Sequence, residues 1–252
     1  MTVEGIDARP DALTRLRHSL AEANLVRHLP RGRQRILDVA GGGGRDSVRF
    51  AERGHEVTLL DPAGAMLAGA MRLADAHGVA DRLHVVQATA EDTPHLFAPH
   101  EFDVVLCHNL LHFTDDREAL LRAVTAALRP GGLLSVVNPN PAAEPLRAAR
   151  RLDLDQALRA LDSPTTHVAP LGVEIPACEA AAVTADLTTI GATVLAHYGI
   201  RCVADYLAEE AAADPTLLPG LERLELALSA RLPYLLTARY FHLVARITGP
   251  VG

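Results

Sequence analysis

The sequence predicts an α/β protein built on a doubly wound, mostly parallel sheet. Three observations carry this. Short apolar runs such as residues 36–39 and 102–108 (FDVVLCH) leave no room for one-sided alternation, which suits strands buried on both faces. Stretches of helical apolar spacing separate these runs. Gly41–Gly44, Gly54, Gly78 and Pro130-Gly131-Gly132 stand at the junctions between them.

The elements follow in order. Residues 11–28 place Leu13, Leu16, Leu20 and Val26 near helical spacing, with Asp11 as cap and Pro30 and Gly32 as stop. The first strand, 36–39, runs into four glycines that let backbone approach a ligand closely. A helix over 45–53 ends at Gly54, and strand 56–60 ends at Asp61. Pro62 suits the first turn of a helix over 62–77. A third strand, 83–88, leads into Thr89, Ala90, Glu91 and Asp92, and the fourth, 102–108, into Asn109 to His112. A helix over 115–128 and the Pro-Gly-Gly turn precede strand five, 133–138. The rhythm then breaks over 139–176, which reads as a helix over 144–161 and an irregular SPTTHVAPLGVEIP. A helix over 178–190, a strand over 193–201, the segment 204–213, a helix over 217–232 and a final strand over 239–247 complete the chain.

Strand, glycine turn, helix, strand and acid in this order put a nucleoside at the strand tips, with Asp61 accepting from ribose hydroxyls. A dinucleotide fingerprint needs a third glycine, and that position holds Asp46 in one register and Ser47 in the other. A pyrophosphate-binding turn is therefore unsupported, and a nicotinamide dehydrogenase fits poorly. A bare glycine-rich turn is the plainer alternative.

What remains resembles the class I S-adenosylmethionine methyltransferases over about residues 35–138. Asp38 in the first strand precedes the turn, and Ala40, Gly42 and Gly44 fill its small-residue positions. Asp61, Pro62 and Met66 in DPAGAML resemble the second motif. The resemblance implies S-adenosylmethionine as cofactor. It also implies a Rossmann-like seven-stranded sheet closed by an antiparallel pair, in one domain over 1–252 with 139–176 as a substrate-covering insertion. Thr89 stands where the family commonly has an acid for the adenine amino group, so Ala90 N–H and Glu91 are the remaining adenine contacts. Met66 lies against ribose or adenine, or else fills core. The leading helix covers the cofactor or packs on the sheet edge. His108, ending strand four, is assigned to both cofactor and acceptor.

The tail narrows the resemblance. HYGIRCVADYL (197–207), ELALSARLPY (225–234) and ARYFHLVAR (238–246) are similar to the bacterial tRNA 5-carboxymethoxyuridine methyltransferase group. The resemblance puts Arg239, Tyr240 and His242 on the acceptor side, and Arg201 is a second guanidinium able to orient a carboxylate. A carboxylate is ionised near neutral pH and needs no base, whereas a phenol, hydroxyl or amine would use His108 or His112. Strict alternation separates Arg239 and Phe241 from Tyr240 and His242, so all four cannot enter one pocket from a regular strand. Arg147, Arg150 and Arg151 share a helical arc, which meets an anionic acceptor or is a solvated face.

Composition ranks the acceptors. The net charge is -7, and all 24 basic residues are arginines. Residues 152–166 (LDLDQALRALDSPTT) lack the lysine-rich run that the tRNA-modifying group carries there. Phosphate contacts dominate affinity for nucleic acid. A small anionic metabolite, methylated on oxygen, therefore ranks above tRNA, and a non-catalytic cofactor-binding partner protein ranks third. Three cysteines without metal-ligand spacing, no apolar signal core in MTVEGIDARP and no membrane-length apolar run suit a reduced, cytoplasmic protein without a metal.

Overall fold

The computed structural model describes residues 12–163, 165–168, 173–208 and 214–248. Asp11, the expected cap, and residues 209–213 of the segment 204–213 lie outside the described residues. The elements are α1 Ala12–Val26, β1 Arg35–Val39, α2 Arg45–Glu52, β2 Glu56–Leu60, α3 Gly64–Ala76, β3 Leu83–Val86, α4 Thr93–Leu96, β4 Phe102–His108, α5 Arg117–Thr125 and β5 Leu128–Pro139. There follow α6 Glu144–Arg150, α7 Leu154–Leu161, β6 Thr165–Val168, β7 Val173–Pro176, α8 Ala180–Thr189, β8 Ala192–Ile200, α9 Leu218–Leu228 and β9 Tyr240–Ile247.

Seven strands form one sheet in the order β3-β2-β1-β4-β5-β9-β8. The first five are parallel, and β9 pairs antiparallel with both β5 and β8. The apolar runs are buried on both faces because successive side chains point to opposite sides. Leu37, Val39, Val105, Leu134, Val136 and Phe241 pack toward Leu121, Val124, Val183 and Leu187 of α5 and α8. Ile36, Leu59, Val104, Leu106, Leu133 and Val244 pack toward Val48, Leu67 and Ala70 of α2 and α3. The C-terminal tips of β1, β2, β4 and β5 thus share an edge with the start of β9 and the end of β8.

Several boundaries differ from the sequence reading for local reasons. Asp116, rather than Asp115, caps α5 by accepting from Ala119 N–H at 2.9 Å. Pro62 precedes α3, and β3 is shorter than expected. Pro130-Gly131-Gly132 lies inside β5, where the register against β4 shifts, instead of forming a turn before it. The single helix over 144–161 breaks at Leu152, which is left-handed at φ 61°, and Asp153 caps α7 through Gln156 N–H at 3.0 Å. The stretch read as irregular pairs as the antiparallel hairpin β6–β7.

Candidate cofactor and acceptor site

The glycine turn is shaped by two acids and two near contacts. Asp38, buried at the end of β1, accepts from Ser47 Oγ–H at 2.6 Å. A Cβ on Gly41 would lie 2.6 Å from the Asp38 carboxyl carbon, so only glycine passes over that acid. Gly44 opens α2 at φ 73°, and a Cβ there would meet Ala70 Cβ at 2.7 Å. Ala40 and Gly42 are also left-handed, both at φ 54°. Burial, and then the nearby Asp46 carboxylate, push the Asp38 carboxyl up to about 7.

Asp61 holds the turn from the tip of β2. Its two oxygens accept from Gly42 N–H and Ala63 N–H, each at 2.9 Å. A carboxylate has about four acceptor sites, so each oxygen keeps room for a further donor. The Met66 methyl would touch a Cβ on Gly42 at 3.2 Å, which puts it over the turn. Exposed Pro62 accepts from Gln87 Nε2 through its carbonyl. Thr89 is occupied locally: Asp92 Oδ2 accepts from its N–H and its hydroxyl at 2.9 and 2.8 Å. Ala90 is buried and Glu91 exposed beside it. This cradle fits a nucleoside cofactor with a small polar tail: left-handed turn, carboxylate with spare acceptor sites, and thioether cover are contiguous.

Histidines 108 and 242 belong to one buried hydrogen-bonded chain. His108 Nδ1 lies 2.8 Å from Asp46 Oδ2, and its Nε2 lies 2.9 Å from Ser135 Oγ. Ser135 Oγ in turn is 2.9 Å from His242 Nε2. Burial lowers the pKa of both rings, so both are neutral. One proton arrangement satisfies the chain: His108 Nδ1–H donates to Asp46, Ser135 donates to His108 Nε2, and His242 Nε2–H donates to Ser135. Both ring nitrogens of His108 are thus engaged, while His242 Nδ1 is buried without a hydrogen-bond partner. Strand four ends pointing toward α1 and α2, and β9 carries His242 to the same face. Burial alone would raise the pKa of Asp46, but His18, Arg17 and His108 outweigh it and hold the carboxyl well below its usual range. Arg17 and His18 reach Asp46 from α1 at 3.3 and 2.7 Å, which pins α1 beside the glycine turn. His112 is buried after β4, with Nδ1 3.2 Å from Asn138 Oδ1, and burial lowers its pKa.

Arginines meet at the other end of this edge. Arg239 directly precedes β9 and extends its pairing: its N–H donates to the Arg201 carbonyl and its carbonyl accepts from Asn140 N–H, each at 3.1 Å. Its guanidinium carbon sits 5.3 Å from the Tyr240 ring centre, with that of Arg201 at 6.0 Å and that of Arg17 at 5.8 Å. Asp205 pairs with Arg201 and lies 3.8 Å from Arg147 Nε and 3.9 Å from Arg239 Nε. The structure thus joins Arg201, Arg239 and Tyr240 and leaves His242 out. Sequence reasoning missed two residues of this corner, Asp205 and Glu225. Fully buried Glu225 accepts from Cys202, Val203 and Ala204 N–H at 2.6, 2.9 and 2.7 Å, and so fixes the turn that carries left-handed Arg201. Both acids lie within the motif stretches 197–207 and 225–234, which was the available signal.

Comparison with known proteins agrees with this geometry. The methyltransferase domain family matches residues 36–132. The tRNA 5-carboxymethoxyuridine methyltransferase of Escherichia coli K12 is 32% identical over 215 residues, covering 84% of this chain and 79% of that protein. The ubiquinone biosynthesis O-methyltransferase of Aeromonas salmonicida is 38% identical over 112 residues, 44% of this chain and 46% of that protein. Among solved structures, geranyl diphosphate C-methyltransferase from Streptomyces coelicolor, in complex with S-adenosyl-L-homocysteine, superposes with TM-score 0.63 at 17% identity over 93% of this chain and 82% of that one. The Mesorhizobium loti S-adenosylmethionine dependent methyltransferase gives 0.57 at 22% identity over 90% and 97%. Strand order, glycine turn and these relatives together place the chain in one family: it belongs to the class I S-adenosylmethionine-dependent methyltransferases.

Proposed function

We propose that the enzyme O-methylates an anionic, carboxylate-bearing acceptor, and that Arg201, Arg239 and Tyr240 hold it. The observation that carries this is the convergence of Arg201 and Arg239 on the Tyr240 ring at the sheet edge that also bears the glycine turn. Asp38, Ala40, Gly42 and Gly44 would line the cofactor's polar tail, Asp61 its ribose, and Met66 and Ala90 its base. S-adenosylmethionine supplies a methyl group on a sulfonium. The chain's task is alignment, and well-oriented reactants lower a barrier by about 7–11 kcal/mol. Arg201 and Arg239 orient the carboxylate through bidentate donation, and Tyr240 O–H is a further donor. A carboxylate acceptor needs no base, which agrees with His108 having both ring nitrogens engaged. A hydroxyl acceptor would call on His112 instead.

Two acceptor classes remain in play. A small metabolite is favoured by the net charge of -7 and by the insertion without lysine. Methyl esterification of a carboxymethoxyuridine in tRNA is favoured by the 32% identity to the E. coli enzyme over 84% of the chain. Transfer of labelled methyl from S-adenosylmethionine into bulk tRNA, or into a small-molecule cell extract, separates them. Alkali-labile label in tRNA selects the second class. Label confined to small molecules selects the first. Label in neither, with cofactor binding retained, overturns the proposal.

A further inference from the structure

Helix α6 adds a second tier of guanidinium groups beside this site, joined to it through Arg201 and Asp205. Arg147, Arg150 and Arg151 line a cavity of about 240 Å³ with Arg201, Asp205 and Leu207. This is below the usual range for drug-sized ligands and suits a small charged fragment. The tiers differ in depth. The inner side chains, Arg201 and Arg239, are only 12% and 13% exposed. Arg201 Nε and Arg239 Nη1 are buried with no hydrogen-bond partner, and Asp205 Oδ2 beside them is likewise unpartnered at 3.9 Å from Arg239 Nε, so Asp205 does not satisfy both donors. The outer side chains, Arg147 and Arg151, are 23% and 47% exposed and stand at the mouth.

Charge does not balance here. Glu144 pairs with Arg147 and Arg151, Asp205 pairs with Arg147, Arg201 and Arg239, and Arg150 donates to the Leu207 carbonyl. With Glu225 on the backbone N–H groups of 202–204 as the third acid of this corner, five guanidinium groups face three carboxylates, leaving two positive charges among the described residues. A single carboxylate would leave one of them uncompensated in a partly buried corner. Burial lowers the Arg239 pKa, with Arg147 and Arg201 adding to it and Tyr240 and Asp205 opposing it.

Resting on the acceptor site proposed above, we infer that the acceptor carries two anionic groups. The methyl-accepting carboxylate lies on Arg201 and Arg239 beside Tyr240. A second carboxylate or phosphate lies on Arg147, Arg150 and Arg151. A phosphate would come from a nucleotide, a second carboxylate from a small metabolite.

Calorimetry on the S-adenosylhomocysteine-loaded protein tests this with two pairs of probes. Glutarate is butyrate with one further carboxylate on its terminal carbon. 5-Carboxymethoxyuridine with and without a 5′-phosphate differs by one phosphate. The expected result is a preference of about tenfold or more for the doubly charged member of at least one pair. A glutarate preference names a metabolite source, and a phosphate preference names a nucleotide source. The Arg150→Ala/Arg151→Ala variant, changed only at exposed side chains, should lose the preference. Equal affinities within both pairs, no binding at tens of millimolar, or a preference unchanged in the double variant would overturn the inference. Failure of the underlying site is read separately: Arg239→Ala would then bind butyrate as tightly as the unmodified protein.

Discussion

Asp61→Ala should separate the two tasks of this carboxylate. Its oxygens hold Gly42 N–H and Ala63 N–H at 2.9 Å each. Ala63 is exposed, so water replaces one bond, while Gly42 is half-buried and keeps an unsatisfied donor. That costs about 1–2 kcal/mol of stability. Two charge-assisted bonds to ribose hydroxyls are together worth about 3 kcal/mol or more, which weakens cofactor binding about 100-fold. Asp61→Asn keeps an oxygen for Gly42 and should restore most of the stability but not the affinity. Calorimetric titration with S-adenosylmethionine, beside urea unfolding of the same variants, reads both quantities. Unchanged affinity in Asp61→Ala would remove Asp61 from the cofactor site. Lost stability with unchanged affinity would assign it to the turn alone.

Arg239→Ala should raise the acceptor KM about tenfold or more with little change in cofactor affinity; equal effects on both would mark it as structural. Glu225→Ala strands three backbone donors and should cost about 3 kcal/mol in urea unfolding, and a loss near zero would mean water reaches that turn. Asp38 should give an inverted pH dependence. Its folded pKa of about 7 exceeds the unfolded value, so its contribution is full below about pH 4 and is lost as pH rises through 7. Asp38→Asn mimics the protonated acid, and its stability relative to the parent should improve between about pH 5 and about pH 8. A constant difference would show that Asp38 titrates normally.

The strands and the glycine turn could be read in advance because their signals are local. Residues 36–61 place apolar run, glycines, helix and Asp61 within one continuous unit, and backbone conformation follows from neighbouring side chains. Boundaries were harder where a few residues decide, as at Leu152, whose left-handed backbone splits one apolar stretch into α6 and α7. The hairpin β6–β7 was missed because its strands are only four residues each, too short to show a period.

The roles of the histidines and arginines depended on distance in space. His108, Ser135 and His242 come from three strands, and only the order β4-β5-β9 makes them one hydrogen-bonded chain. Asp46 ends that chain because α1 brings Arg17 and His18 across to it from 28 or 29 residues away. Arg239 meets Arg201 because its N–H donates to the Arg201 carbonyl at 3.1 Å, which carries the β8–β9 pairing one residue past Tyr240. The sequence by itself determined the fold class, the glycine turn and the acid at the tip of β2, all set by near neighbours. The tertiary structure alone decided which charged side chains converge, since a pocket among α1, α6 and the segment that follows β8 is made by packing rather than by spacing along the chain.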